Sequence, residues 1–440
     1  MSFQSALSGL NASARNLDVI GNNIANANTI GMKSSRTEFA DLVASSIGAA
    51  GGGGSGIGVS VGAISQQFSQ GNITITGNDL DVAINGGGFF QLTMPDGSAA
   101  YTRDGEFKLD KTGNIVTNAG AKVMGYPTDV TGVPTSSTLQ ALKLPTAAPI
   151  PAKPTSTITA EFNLDARALP HTADATTTPP RLATPRSTYG TALSVYDGQG
   201  VPTTVNLYFE KSIPPAVNEW EVYGGIDVPA SAVGVIPVVT PVTYPSLGTI
   251  TFDDTGKITG PAPTAPATGI SLTLAASANS VPSSNPNTTG GFLTQDITLK
   301  LDGVTQFGSA FTVSNLTQDG YTTGDLVGMK IGKDGKITAR YSNGQSQING
   351  QVGLADFRNV QGLSPTGGGN WVETYESGQP VKGAPGVGKF GALSSGALEE
   401  SNVDLTAELV NMMTAQRAYQ ANAQTIKTQD QIMTTLVNLR

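Results

Sequence analysis

The side chains most capable of chemistry in this sequence are few and poorly grouped. His171 is the single histidine and stands in a Pro/Thr-rich stretch, so a histidine-dependent triad or a multi-histidine metal site lacks members. Cysteine is absent, which removes thiolate nucleophiles, disulfides and cysteine-ligated metals. Adjacent acids occur at Asp253-Asp254 and Glu399-Glu400, and paired carboxylates are what glycoside hydrolysis uses. Neighbouring residues of a strand point to opposite faces, however, and acids in turns are solvated, so both pairs are expected at the surface. Asp253-Asp254-Thr255-Gly256 and Asp334-Gly335 lack the spaced oxygen ligands and closing Glu of a calcium loop and read as β-turns. Gly51, Gly53 and Gly56 fall at dinucleotide-motif spacing, but no apolar strand leads in and no helix-forming segment follows at once. The expectation is no catalytic residue, no cofactor and no metal: not an enzyme.

With the chemistry this thin, the elements themselves carry the reading. The chain has 440 residues, room for two or three domains. Its 54 Gly and 26 Pro, set against only 13% charged residues, favour turns and strands over solvated helices. A net charge of −8 without any run of Lys or Arg argues against a nucleic-acid partner. The first ten residues have neither a basic n-region nor an apolar signal-peptide stretch, and no window approaches the ~20 apolar residues of a membrane span. The chain is expected in the cytosol or exported by a signal-independent route, without membrane insertion.

Two segments at the ends are helical by periodicity. Phe3, Leu7, Leu10, Ala14, Leu17, Gly21 and Ile24 recur at 4-3 spacing, which puts them on one stripe of a helix. The same spacing runs through Leu405, Leu409, Met412, Gln416, Tyr419, Ala423, Ile426, Asp430, Met433 and Val437, flanked by Val410, Met413 and Leu436. Ser401-Asn402-Val403-Asp404 offers N-cap candidates, which predicts that the second helix begins near Val403. Two such seams around a β-rich body are best buried against each other and against other copies. Leu7, Leu10, Leu17, Ile24, Leu409, Met413, Ile426 and Leu436 are the expected assembly contacts.

Between the helices the composition changes several times. Residues 31–71, with Gly51-Gly52-Gly53-Gly54-Ser55-Gly56-Ile57-Gly58 at their centre, read as a flexible linker or extended region. Short alternating segments with Gly/Asn/Asp turns follow from Ile73 to Val123. A Pro/Ala-rich passage near 144–154 precedes a second set of strands, including a hairpin from Leu193 to Phe209 across Asp197-Gly198-Gln199-Gly200. Strand-and-turn patterning resumes after Gln318. The simplest account is a mixed, multi-domain fold in nested order: 1–30 with 403–440 as a coiled-coil-like helical domain, 72–146 with 318–402 as an inner β domain, and 147–317 as an inserted outer β domain.

The wording of these segments resembles a known family. Leu17-Asp18-Val19-Ile20-Gly21-Asn22-Asn23-Ile24-Ala25-Asn26-Ala27-Asn28-Thr29-Ile30-Gly31-Met32-Lys33 is similar to the N-terminal signature of bacterial flagellar rod and hook axial proteins. Gly77-Asn78-Asp79-Leu80-Asp81-Val82 through Phe90 resembles their next motif, and Ser401-Asn402-Val403-Asp404-Leu405 through Asn422 their C-terminal one. Phe162-Asn163-Leu164-Asp165-Ala166, Val195-Tyr196-Asp197-Gly198 and Tyr341-Ser342-Asn343-Gly344-Gln345 look like the hook branch of the family. The resemblance implies a self-assembling hook subunit whose terminal helices surround an export channel and whose β domains build a curved tube, a universal joint carrying torque from rod to filament. It implies a homopolymer, with the distal rod, hook cap and hook-filament junction proteins and the flagellar export apparatus as partners, outside the cell after unfolded export. A distal rod subunit is the nearest alternative; a secreted β-rich adhesin or glycosidase is the alternative from another class.

Overall fold

A computed structural model describes residues 3–43, 56–145, 149–168, 189–212, 218–226, 246–260, 269–274 and 295–438. His171, Gly51 and Gly53 lie outside these described residues. The chain divides into two compact units, one of residues 1–147, 326–340 and 346–440, the other of residues 148–325 and 341–345.

Helix α1 (Phe3–Ala25) and helix α2 (Leu405–Asn438) close the first unit at its two chain ends. Asp404 is the α2 cap: its Oδ1 accepts the Thr406 N–H at 2.9 Å and the Ala407 N–H at 3.2 Å, so the helix begins two residues beyond Val403. The helices pack antiparallel. Asn23, late in α1, reaches Glu408, early in α2, whereas Gly9 stands against Asn422.

Strands β1 (Ser35–Val43) and β2 (Gly56–Gln66) pair antiparallel from Ser35↔Gln66 outward. This ribbon occupies much of the stretch that composition reads as linker. Val59 and Val61 alternate with Gly58, Ser60 and Gly62 at the two-residue period of a strand, and a register shift opposite Glu38 and Phe39 takes Ile64 out of that alternation. The Ser8 hydroxyl in α1 accepts the Val59 N–H at 3.2 Å, which seats the ribbon beside the helix.

The body of the first unit is built from strands that lie far apart in sequence. Its main sheet passes through Ser346–Val352, Lys122–Tyr126, Phe89–Thr93, Ala99–Thr102 and Asn370–Val372 in that spatial order. Val82–Asn85 pairs with Ala392–Ser395, and Ile73–Ile75 with Ala397–Glu399, so the chain leaving β2 and the chain approaching α2 run side by side. Val82, Ile84, Phe90, Leu92, Val123, Ile337, Val352 and Leu354 fill one core. Phe89, Tyr101, Phe357 and Trp371 form a second, with ring centroids 4.8–6.1 Å apart in edge-to-face contacts.

The second unit is a two-sheet sandwich. Thr157–Asp165 lies between Thr312–Gln318 and Gln295–Lys300, while Tyr189–Tyr196, Pro202–Lys211, Glu219–Ile226 and Ser246–Phe252 form an antiparallel meander. Phe162, Leu207, Phe209, Trp220, Ile250 and Leu299 are sealed between the sheets. The expected hairpin is present: Tyr196 pairs with Pro202, and Asp197 Oδ1 accepts the Gln199 and Val201 N–H groups, each at 2.9 Å.

Candidate assembly interface

Among the described residues no group of His, Asp and Glu is placed to hold a metal ion, and no helix is long and apolar enough to cross a membrane. Asp253 is a turn residue, its Oδ1 accepting the Thr255 N–H at 2.8 Å and the Lys257 N–H at 2.9 Å. Gly56, the one member of the glycine motif within the described residues, opens β2.

Glu399 requires a correction. The alternation rule holds, since Glu400 is exposed, but Glu399 is fully buried rather than at the surface. Its strand, Ala397–Glu399, turns that side chain inward onto Lys33 Nζ at 2.6 Å and Arg103 Nη1 at 3.0 Å. Burial pulls Lys33 below the ordinary lysine range, opposed by its hydrogen bond to Glu399. No spacing rule could find this cluster, because its partners lie 366 and 296 positions away in sequence.

The helix residues sort into two faces. Ala6, Ala12, Val19, Ile20 and Asn23 are the buried residues of α1, and Ala415 is buried on α2. At Gly9 the two helices approach closely: a Cβ added there would stand 2.9 Å from Asn422 Nδ2. Several larger apolar residues of the two helices stay in contact with solvent. Leu7 is 42% exposed, Leu409 51% and Met413 54%; Leu10, Leu17, Ile24 and Ile426 are half-buried. The Leu436 side chain lies outside the described residues. The stripe members Phe3, Leu405, Met433 and Val437, the flanking Val410, and Ile432, which belongs to neither set, are exposed as well. The water-facing apolar row on α2, with Phe3 and Leu7 exposed on α1, is unusual for a finished surface and suits association.

Four family models match in succession. They are the flagella basal body rod protein family over residues 3–33, the flagellar hook protein FlgE/F/G D1 domain over 83–161, the flagellar basal body protein FlaE D2 domain over 163–321, and the flagellar basal body rod FlgEFG protein C-terminal family over 394–439. Terminal helices of this wording around β-rich units define an axial protein of the bacterial flagellum. The flagellar hook protein FlgE of Salmonella typhimurium is 41% identical over 452 residues, aligned across 100% of both chains. That of Escherichia coli K12 is 40% identical over 454 residues, again across 100% of both. The chain belongs to the flagellar hook protein family, FlgE. It is a structural subunit of the hook rather than an enzyme, and the distal rod alternative is not favoured. A crystal structure of the Helicobacter pylori hook protein FlgE2 shares the fold, with a TM-score of 0.50 at 16% identity, covering 74% of this chain and 100% of that one.

Proposed function

We propose that α1 and α2 form the coiled-coil-like axial core of a homopolymer, and that Leu7, Leu10, Leu17, Ile24, Leu409, Met413, Ile426 and Leu436 are its contacts between copies. The single observation that carries this is the apolar row on α2, where Leu405, Leu409 and Met413 are each more than two-fifths exposed. Around that core the nested order assigns 1–30 and 403–440 to the axis, 31–71 to the connection, 72–146 with 318–402 to an inner β domain and 147–317 to an inserted outer one. The assembled tube is curved, encloses the export channel and works as a universal joint passing torque from rod to filament. Its partners at the two ends are the distal rod and the hook cap or hook-filament junction proteins, reached after passage through the flagellar export apparatus.

Leu409→Asp tests the helix contacts. A carboxylate buried between copies has no partner there, so polymerisation is lost while circular dichroism of the β units is unchanged. Polymers of normal length from this variant would remove Leu409 and the seam around it from the assembly.

A further inference from the structure

Residues 33–35 are gripped from both ends of the chain. The Ser35 N–H donates to Asn23 Oδ1 at 2.9 Å, and Asn23 Nδ2 donates back to the Ser35 carbonyl at 2.8 Å, so the asparagine pairs with the backbone of Ser35 as a residue of a neighbouring strand would. The Ser34 N–H donates to Asn402 Oδ1 at 2.7 Å, and Asn402 Nδ2 donates to the Gln67 carbonyl at 2.7 Å. Lys33 Nζ donates to Glu399 Oε1 and, at 2.8 Å, to the Ser69 carbonyl. The second oxygen of Glu399 takes Arg103, whose Nη2 donates to the Gly86 carbonyl at 2.9 Å. One connected set of bonds thus ties α1, the entry to β1, the exit from β2, the β body at 86–103 and the strand before α2.

Stability alone does not call for charges here, because well-packed apolar side chains of similar volume serve a buried site as well or better. What charged and amide groups add is direction. Apart from the two bonds to the Glu399 carboxylate, each ends on a backbone atom, and a shift that breaks one leaves a polar group unpaired, which favours one satisfied arrangement. Two cations share a single carboxylate, and Arg103 Nε has no hydrogen-bond partner, so Glu399 has no substitute within the cluster.

We propose that Asn23, Lys33, Arg103, Glu399 and Asn402 form a stiff coupling between the helix pair and the first β body, positioning residues through which twist passes from the axial core to the outer tube. The proposal rests on the hook reading given above. It places torsional stiffness in the joint at 33–35 and 399–402, in addition to any contact between copies.

The test uses full-length protein in flagellated cells carrying Asn402→Ala, with Asn402→Asp as the variant that keeps the acceptor for Ser34. Electron microscopy scores hook presence and diameter, and the rotational fluctuations of cells tethered with a locked motor report torsional stiffness. For Asn402→Ala we expect hooks of normal diameter whose twist fluctuates about two-fold more, partly restored in Asn402→Asp. Glu399→Gln should act in the same direction; if it does not fold, Asn402, at the margin of the cluster, still decides. Hooks of wild-type stiffness in Asn402→Ala overturn the proposal. So do cells without hooks in which the β units still melt normally, since that outcome makes the cluster an assembly determinant. Normal flagella in cells lacking this chain altogether would instead remove the hook reading.

Discussion

Lys33 Nζ and Glu399 Oε1 stand 2.6 Å apart with both side chains sealed from solvent, and the backbone beside them repeats the contact: the Gly31 N–H donates to the Glu399 carbonyl at 2.8 Å. Segments at opposite ends of the sequence are thereby joined twice within three residues. The arrangement explains why the chain turns where it does after α1. To bring Lys33 inward, residues 26–32 must reverse direction against the Arg103–Asp104 backbone, and Gly31 does so at φ +69°.

Gly31→Ala should therefore be costly. A Cβ there would lie 2.6 Å from the Asp104 nitrogen and 2.7 Å from the Arg103 carbonyl carbon, both backbone atoms that cannot swing aside. With the left-handed conformation added, the loss is about 2 kcal/mol or more, read as a fall in the denaturation midpoint of the first unit. An unchanged midpoint would mean that residues 26–32 have another low-energy path.

Much of this architecture is legible in the sequence because its causes are local. The 4-3 spacing after Phe3 and after Leu405 fixes two helices, and Asp197-Gly198-Gln199-Gly200 fixes a turn whose carboxylate bonds its own backbone. The joint is not legible for the opposite reason. Glu399 next to Glu400 looks like a solvated acidic pair, and only a strand register pairing Glu399 with Ile73 turns it toward Lys33. Likewise the heptad stripe marks Leu7, Leu10 and Leu17, whereas the single chain seals the neighbouring face at Ala6, Ala12 and Val19. Periodicity identifies apolar faces but does not say which is covered by the same chain.

In the second unit Asp319 is a polar staple. Its Oδ1 accepts the Ser156 and Thr157 N–H groups at 2.8 and 2.9 Å, and its Oδ2 accepts from the Ser156 hydroxyl at 2.6 Å and from Lys153 Nζ at 3.0 Å. These bonds hold its carboxyl well below the usual carboxylate range, against the opposing effect of burial. A depressed acid stabilises fully above its unfolded value near 4 and loses that contribution as pH falls toward the folded value. Asp319→Ala should destabilise the sandwich by about 1–2 kcal/mol at pH 7, and by progressively less in acid. Equal losses at pH 7 and pH 2.5 would show that the carboxylate charge plays no part.

Asp104 carries the opposite sign. Burial raises its carboxyl from 3.8 to about 6, with Glu106 and Asp81 adding repulsion and the Glu106 N–H, donated to Oδ1 at 3.0 Å, working the other way. The folded chain then holds more protons than the unfolded one between about pH 4 and pH 6, so this residue makes stability fall as pH rises through that window and adds no slope above it. Asn at this position keeps the Oδ1 acceptor and removes the charge. Asp104→Asn should raise stability at pH 7 by on the order of 2 kcal/mol and leave it nearly unchanged at pH 4, where the native acid is already protonated. Denaturation of the full chain at the two pH values measures both. A variant that gains equally at pH 4 and pH 7 would assign the gain to packing rather than to a carboxylate held away from water beside the joint.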